Sequence, residues 1–275
     1  MTILDQIIYR KRLEVEKCKS LRPVSILNKS EFLSSKPKSL KDALMKRCSS
    51  GIIAEFKRRS PSKGIINNGV EPGNVCKRYA SAGASAVSVL TNQEFFGGSV
   101  YDMNEVSHSV NCPVLCKDFV IDEYQIIEAR SAGADAVLLI SDILSARKMN
   151  ELYRFVLSLG MDALIEIHDK KYLNAIPQDA AIIGINSRNL ASLNVTIDHS
   201  LELASLIPDC YIKVAESGIR SVGDYFTLKN AGFHGFLIGE YFMNSADPGQ
   251  TCCEFIEAVR KDYPANPTNI VRRDE

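Results

Sequence analysis

A chain of 275 residues accommodates one barrel of roughly 250 residues with a modest extension more naturally than two compact domains, so a single domain over 1–275 is expected. Basic and acidic side chains number 33 each, so the formal net charge is zero and no long-range field favours nucleic acid or a polyanionic surface. No apolar run approaches the roughly 18 to 20 residues of a membrane span, so no membrane-crossing helix is expected.

The first 47 residues carry no strand signal. Ile3, Leu4, Ile7 and Ile8 recur at helical spacing beside Arg10, Lys11 and Arg12, which reads as a helix of the mature protein and not as a signal peptide. Pro23 breaks the pattern, and a second helix over about 39–48 leads into the first strand. This 1–47 extension either caps the floor of the barrel or reaches over its mouth.

Eight short apolar runs follow: 52–62, 86–91, 113–119, 136–141, 163–169, 181–189, 211–218 and 236–240. Helically patterned stretches separate them, and strand alternating with helix calls for a parallel sheet covered on both faces. Eight units close it into a (β/α)8 TIM barrel of the α/β class. Gly83, Gly133 and Gly232 each follow a helix where a left-handed residue is needed. The tail 264–275 holds two prolines and ends in charge, and reads as exposed.

The cysteines, eight in all, are scattered, adjacent at Cys252 and Cys253, or placed at Cys112 and Cys116 to bracket a strand. None has zinc spacing, so reduced structural thiols in a reducing cytoplasm are expected. His168 lies nearest a strand end, but no histidine pairs with another ligand, and no metal is expected.

In this fold function sits at the C-terminal ends of the strands. Side-chain alternation puts Glu55 and Lys57 on the face shared with Ile53, Lys117 with Leu115, Glu166 with Leu164, and Asn186 with Ile182 and Gly184. Glu216 ends the seventh run. Two lysines and several carboxylates converging in a partly desolvated mouth can tune one another for acid and base work; a structural ion-pair network would use the same residues, and their shared position at strand ends favours a site. Backbone amides around Ser217 and Gly218, and around Gly239 and Glu240 where a short helix begins, suit a phosphate. The Glu240 carboxylate is expected to point away from such an anion. The loop 58–64, with Ser60, could close over an anionic group. Phe96 could stack on an aromatic ligand, with at least one of Phe95 and Phe96 packed in the core.

The ordered set IIAEFKRRSPSKG, PVLCKDF, LIEIHD, GINSRNL, VAESGI and LIGE resembles the indole-3-glycerol phosphate synthase family over about residues 1–260. That resemblance implies a carboxy-lyase of tryptophan biosynthesis. It closes the ring of 1-(2-carboxyphenylamino)-1-deoxyribulose 5-phosphate, with loss of carbon dioxide and water. Carried over by position, Lys117 is implied as general acid and Glu166 as general base of the dehydration. Lys57 holds substrate and shares in proton transfer, and Glu55, Asn186 and Glu216 bind hydroxyls and offset positive charge on the anilino nitrogen. Ser60 and Arg188 fall near the substrate carboxylate, and Ser217, Gly218, Gly239 and Glu240 at the phosphate. The family often carries asparagine where Ser187 stands. No cofactor, metal or obligatory protein partner is implied, and a single activity is expected because the chain ends soon after the eighth unit. A phosphate-binding barrel without turnover and a sister phosphoribosyl isomerase are the alternatives, although the latter would carry a cysteine or aspartate base where Glu-Phe-Lys stands.

Overall fold

A computed structural model describes residues 2–187 and 196–262; Arg188 and the tail 264–275 lie outside the described residues. The barrel strands are β1 (Ile52–Phe56), β2 (Ala86–Leu90), β3 (Val114–Lys117), β4 (Ala136–Ile140), β5 (Asp162–Ile167), β6 (Ile182–Asn186), β7 (Ile212–Glu216) and β8 (Gly235–Ile238). All pair in parallel in chain order, and β8 closes onto β1 with Ile53 opposite Leu237. Each expected strand is present, and the expected alternation holds. Ile53, Leu115, Leu138, Leu164, Ile182, Val214 and Leu237 fill the barrel. Ile52, Ala54 and Phe56 face outward into the apolar layer beneath the helices. Each fully buried Leu, Ile, Val or Phe side chain of these layers contributes about 1.5–3 kcal/mol.

Both placements foreseen for the extension occur, in different segments. Helix α1 (Ile3–Leu21) starts with a capping box between Thr2 and Asp5, and its first turns lie at the mouth beside Lys57 and Ser60. Helix α2 (Leu40–Met45) plugs the floor, where Leu40 and Leu44 join the interior apolar cluster. Asp162 at the start of β5 accepts from Ser39 Oγ and Lys41 N, both at 3.0 Å. The second helix is thus shorter than expected, and after it Cys48 takes a left-handed φ of 64°.

Three further details depart from expectation. The β5–β6 connection is a 3₁₀ segment, Lys170–Ala175, because Pro177 leaves too few residues for an α-helix. Cys116 lies within β3 and does not bracket it. The 58–64 loop is no simple loop either: Arg59–Ser60 pairs antiparallel with Gly64–Ile65. As expected, Gly83, Gly133 and Gly232 have φ of 101°, 94° and 87°. Among the described residues no helix is long and apolar enough to cross a membrane.

Candidate active site

Every strand end singled out in the sequence opens into one cavity of about 600 Å³ at the barrel mouth, lined by Glu55, Lys57, Lys117, Glu166, Asn186 and Glu216. The inward alternation of each strand puts these groups in a ring above the apolar filling. Lys57 Nζ donates to Glu55 Oε1 at 2.8 Å. Across the ring Lys117 Nζ donates to Glu166 Oε2 at 3.2 Å and makes a charge contact of 3.0 Å with Glu216 Oε2. Asn186 Nδ2 donates to Glu166 Oε1 at 3.2 Å.

The electrostatics of this cluster follow from burial and proximity. Burial alone disfavours the Lys117 charge, yet Glu216, Glu166 and Glu55 around it raise its proton affinity above the ordinary lysine range. Burial also pushes the Glu216 carboxyl up, to about 8, against the pull of Lys117 and with the push of Glu166. Glu166 goes the other way: burial raises it, but Lys117 and His168 more than offset this and hold it at about 2. The environment shifts these two neighbouring carboxyls in opposite directions, Glu166 down and Glu216 up. Both Glu216 oxygens are buried, with Lys117 and Glu166 as the polar groups beside them.

The opposite wall holds Ser217, Gly218, Gly239 and Glu240. Ser217 and Gly218 both take left-handed backbone, φ 67° and 82°, and the short helix expected after Gly239 spans Glu240–Met243. At Gly239 a β-carbon would collide with Glu55 Oε1, so the glycine is required for close approach. The Glu240 carboxylate is taken up by Lys63 Nζ at 2.8 Å, which draws the 58–64 hairpin across the mouth. Ser60 of that hairpin is buried and in the lining. Of the basic residues in this segment, Arg58 is no candidate for an anion, because Asp102 already holds it at 2.5 and 3.1 Å.

Phe96 lines the cavity, its ring centroid 6.1 Å from that of Phe119. Neither Phe95 nor Phe96 is buried in the core, contrary to expectation: the turn Gln93–Phe96 stands over the mouth and not over the helix layer. Ser187, where the resemblance favoured asparagine, is buried and shares a hydrogen bond with Ser200 Oγ at 2.5 Å.

Sequence reasoning missed several contributors. Ile3, Leu4 and Ile7 supply an apolar rim from α1, and their helical spacing marked an apolar face whose target was not readable. Asp118 accepts from Lys11 Nζ at 2.9 Å and from Thr91 Oγ1 at 2.8 Å, fixing α1 to the end of β3. Leu138, Ile140 and Leu237 form the apolar bottom of the cavity. Among the described residues no group of three metal-binding side chains forms, and all eight cysteines are free thiols.

The model of the family described as indole-3-glycerol phosphate synthase matches residues 4–255. A relative of that name from Bacteroides thetaiotaomicron is 44% identical over 260 residues, 94% of this chain and 99% of its own length. Another, from Carboxydothermus hydrogenoformans, is 40% identical over 255 residues, 90% of this chain and 97% of its own. Among solved structures, 3-hexulose-6-phosphate synthase from Salmonella typhimurium aligns with a TM-score of 0.59 at 12% identity, covering 76% of this chain and 98% of that one. The tryptophan synthase alpha subunit from Legionella pneumophila gives 0.59 and 12%, over 82% and 98%. At that identity these two show likeness of fold alone.

Proposed function

Because the chain belongs to the indole-3-glycerol phosphate synthase family and acts as a carboxy-lyase on a small phosphorylated substrate, we propose how its own side chains carry the ring closure. The observation that carries the assignment is the meeting of Lys117 with Glu166 and Glu216 in one buried cluster.

Lys117, kept protonated by its carboxylates, gives a proton to the sugar carbonyl oxygen as the aromatic carbon attacks the carbonyl carbon. Loss of carbon dioxide restores the aromatic ring. Glu166, kept ionised, then takes the proton whose removal drives out the hydroxyl as water, and Lys57 shares in returning a proton to the leaving oxygen. Glu55, Asn186 and Glu216 hold hydroxyls, and the Glu55 carboxylate offsets positive charge on the anilino nitrogen. Ser60 meets the substrate carboxylate; Arg188, assigned to the same group, lies outside the described residues. Phe96 packs against the aromatic ring. The phosphate takes the backbone amides of Ser217, Gly218, Gly239 and Glu240, beside the ammonium of Lys63. Every group assigned here belongs to this chain, and the reaction is proposed to run without a protein partner or cofactor, in a reducing cytoplasm that suits free thiols.

The test is the rise of indole fluorescence when the protein meets the carboxyphenylamino-deoxyribulose phosphate in buffer with a metal chelator. The chain contains no tryptophan, so the background is low. Product is expected with the wild type, and Lys117→Met should lower turnover by at least about 10²-fold while the phosphate ligand still binds. Wild-type turnover in that variant would reject Lys117 as the acid, and binding without turnover in the wild type would leave a binding barrel.

A further inference from the structure

Beside the catalytic ring lies a set of ionisable groups that the mechanism above leaves unused. His168 follows β5 two residues after Glu166 and is almost buried, and neither it nor Asp142, at the end of β4, lines the cavity. His168 Nδ1 is 2.8 Å from Asp142 Oδ2. An ionised carboxylate only accepts, so Nδ1 carries the hydrogen and the tautomer is set. The other nitrogen, Nε2, then faces Glu166 Oε1 at 3.4 Å. It is buried and has no hydrogen-bond partner among the described residues. A neutral ring would turn a lone pair on a carboxylate there, whereas an imidazolium turns an N–H on it.

We propose that Asp142, His168 and Glu166 form a relay in which His168 is a positioning residue. Its Nε2–H bonds to Glu166 Oε1 as the site tightens, and this keeps the base ionised and aimed at the substrate. The proposal rests on the reading of Glu166 as the base. Its charge balance depends on every group that faces the imidazole. Asp142 comes from the end of β4, Glu166 from β5, Glu216 from β7, and Lys117 from β3 through its contact with Glu166. Asp169 and Lys171 follow in the chain. From the helix Ile197–Ala204, His199 donates Nε2–H to the His168 carbonyl at 2.6 Å. Burial opposes a charge on His168, but Asp142 and Glu166 together raise its proton affinity above the ordinary histidine value.

The experiment follows the His168 imidazole by NMR across pH in the wild type, Asp142→Asn and Glu166→Gln, with His168→Gln identifying the signal, and measures kcat and KM for His168→Gln. The wild-type ring should titrate above 6.5, and its pKa should fall by roughly one unit or more in both carboxylate variants. His168→Gln should lower kcat roughly 10- to 100-fold, within the range of positioned acid–base groups, with KM changed by less than about twofold. A His168 pKa indifferent to Glu166→Gln, or a wild-type kcat in His168→Gln, overturns the relay. The reading of Glu166 fails separately, if the wild type turns substrate over and Glu166→Gln does so equally well.

Discussion

Glu216 reaches across the mouth because residue 184 has no side chain: a methyl group there would overlap Glu216 Oε1. In the sequence Gly184 reads only as an inward position between Ile182 and Asn186, since the neighbour it makes room for comes from another strand. The pair of carboxyls it serves has a consequence for stability. The folded protein keeps a proton on Glu216 to about 8, while an unfolded carboxyl releases it near 4.5. Its contribution is therefore full below about 4.5 and is lost as the pH rises through about 8. Glu166, held at about 2, has the opposite sign, contributing above 4.5 and losing that contribution as the pH falls towards about 2. Between about pH 5 and 8 the folded pair therefore binds more proton than the unfolded one, and stability falls as the pH rises. Urea unfolding over this range should show stability falling with pH in the wild type and a flatter profile in Glu216→Gln. Equal slopes would show that Glu216 holds no such proton. The residues of this ring were legible from strand alternation; their opposite shifts in proton affinity were not, because these depend on which carboxyl shares its surroundings with His168 and which faces Glu166.

At the scale of elements, α1 is tied to the mouth by a buried ion pair, beside its buried Ile7 and Val15. Lys11 is 2% exposed, and burial of its charge is offset by Asp118 and Glu14, which raise its proton affinity. Removing one partner of such a pair strands the other. Lys11→Met should destabilise the docking of α1 by about 3 kcal/mol, seen as faster hydrogen exchange along Ile3–Leu21. With the rim of Ile3, Leu4 and Ile7 loosened, KM should rise more than kcat falls. Unaltered exchange in α1 would assign its docking to the outer bridges from Lys19 to Asp122 and from Arg22 to Glu128. Helix α1 itself was evident from its spacing. Its destination was not, because Lys11 looks like any surface lysine until Asp118, 107 residues on, lies against it. The 58–64 hairpin was hidden for a similar reason: its strands are two residues each, too short to carry an alternating pattern.

The whole molecule separates its two ends. The strand ends at the mouth carry the charged groups of the candidate site, while the floor is sealed by Leu40 and Leu44, consistent with stability residing on that face. Leu44→Ala should cost about 2–5 kcal/mol of stability and leave kcat and KM of the folded enzyme unchanged. A matching loss of kcat would mean that the floor is coupled to the catalytic ring. The eight-strand barrel was readable from the sequence because each strand buries both faces and so appears as a short apolar run ending in a polar residue. The plug was less so, since α2 is six residues long and its two leucines gain meaning only from the ring of strands above them. Filled below and stoppered beneath, the barrel is a vessel with no drain. Carbon dioxide and water from a reaction at this mouth would leave on the side by which the substrate arrived, past the hairpin that Lys63 links to Glu240. Entry and departure therefore share one doorway.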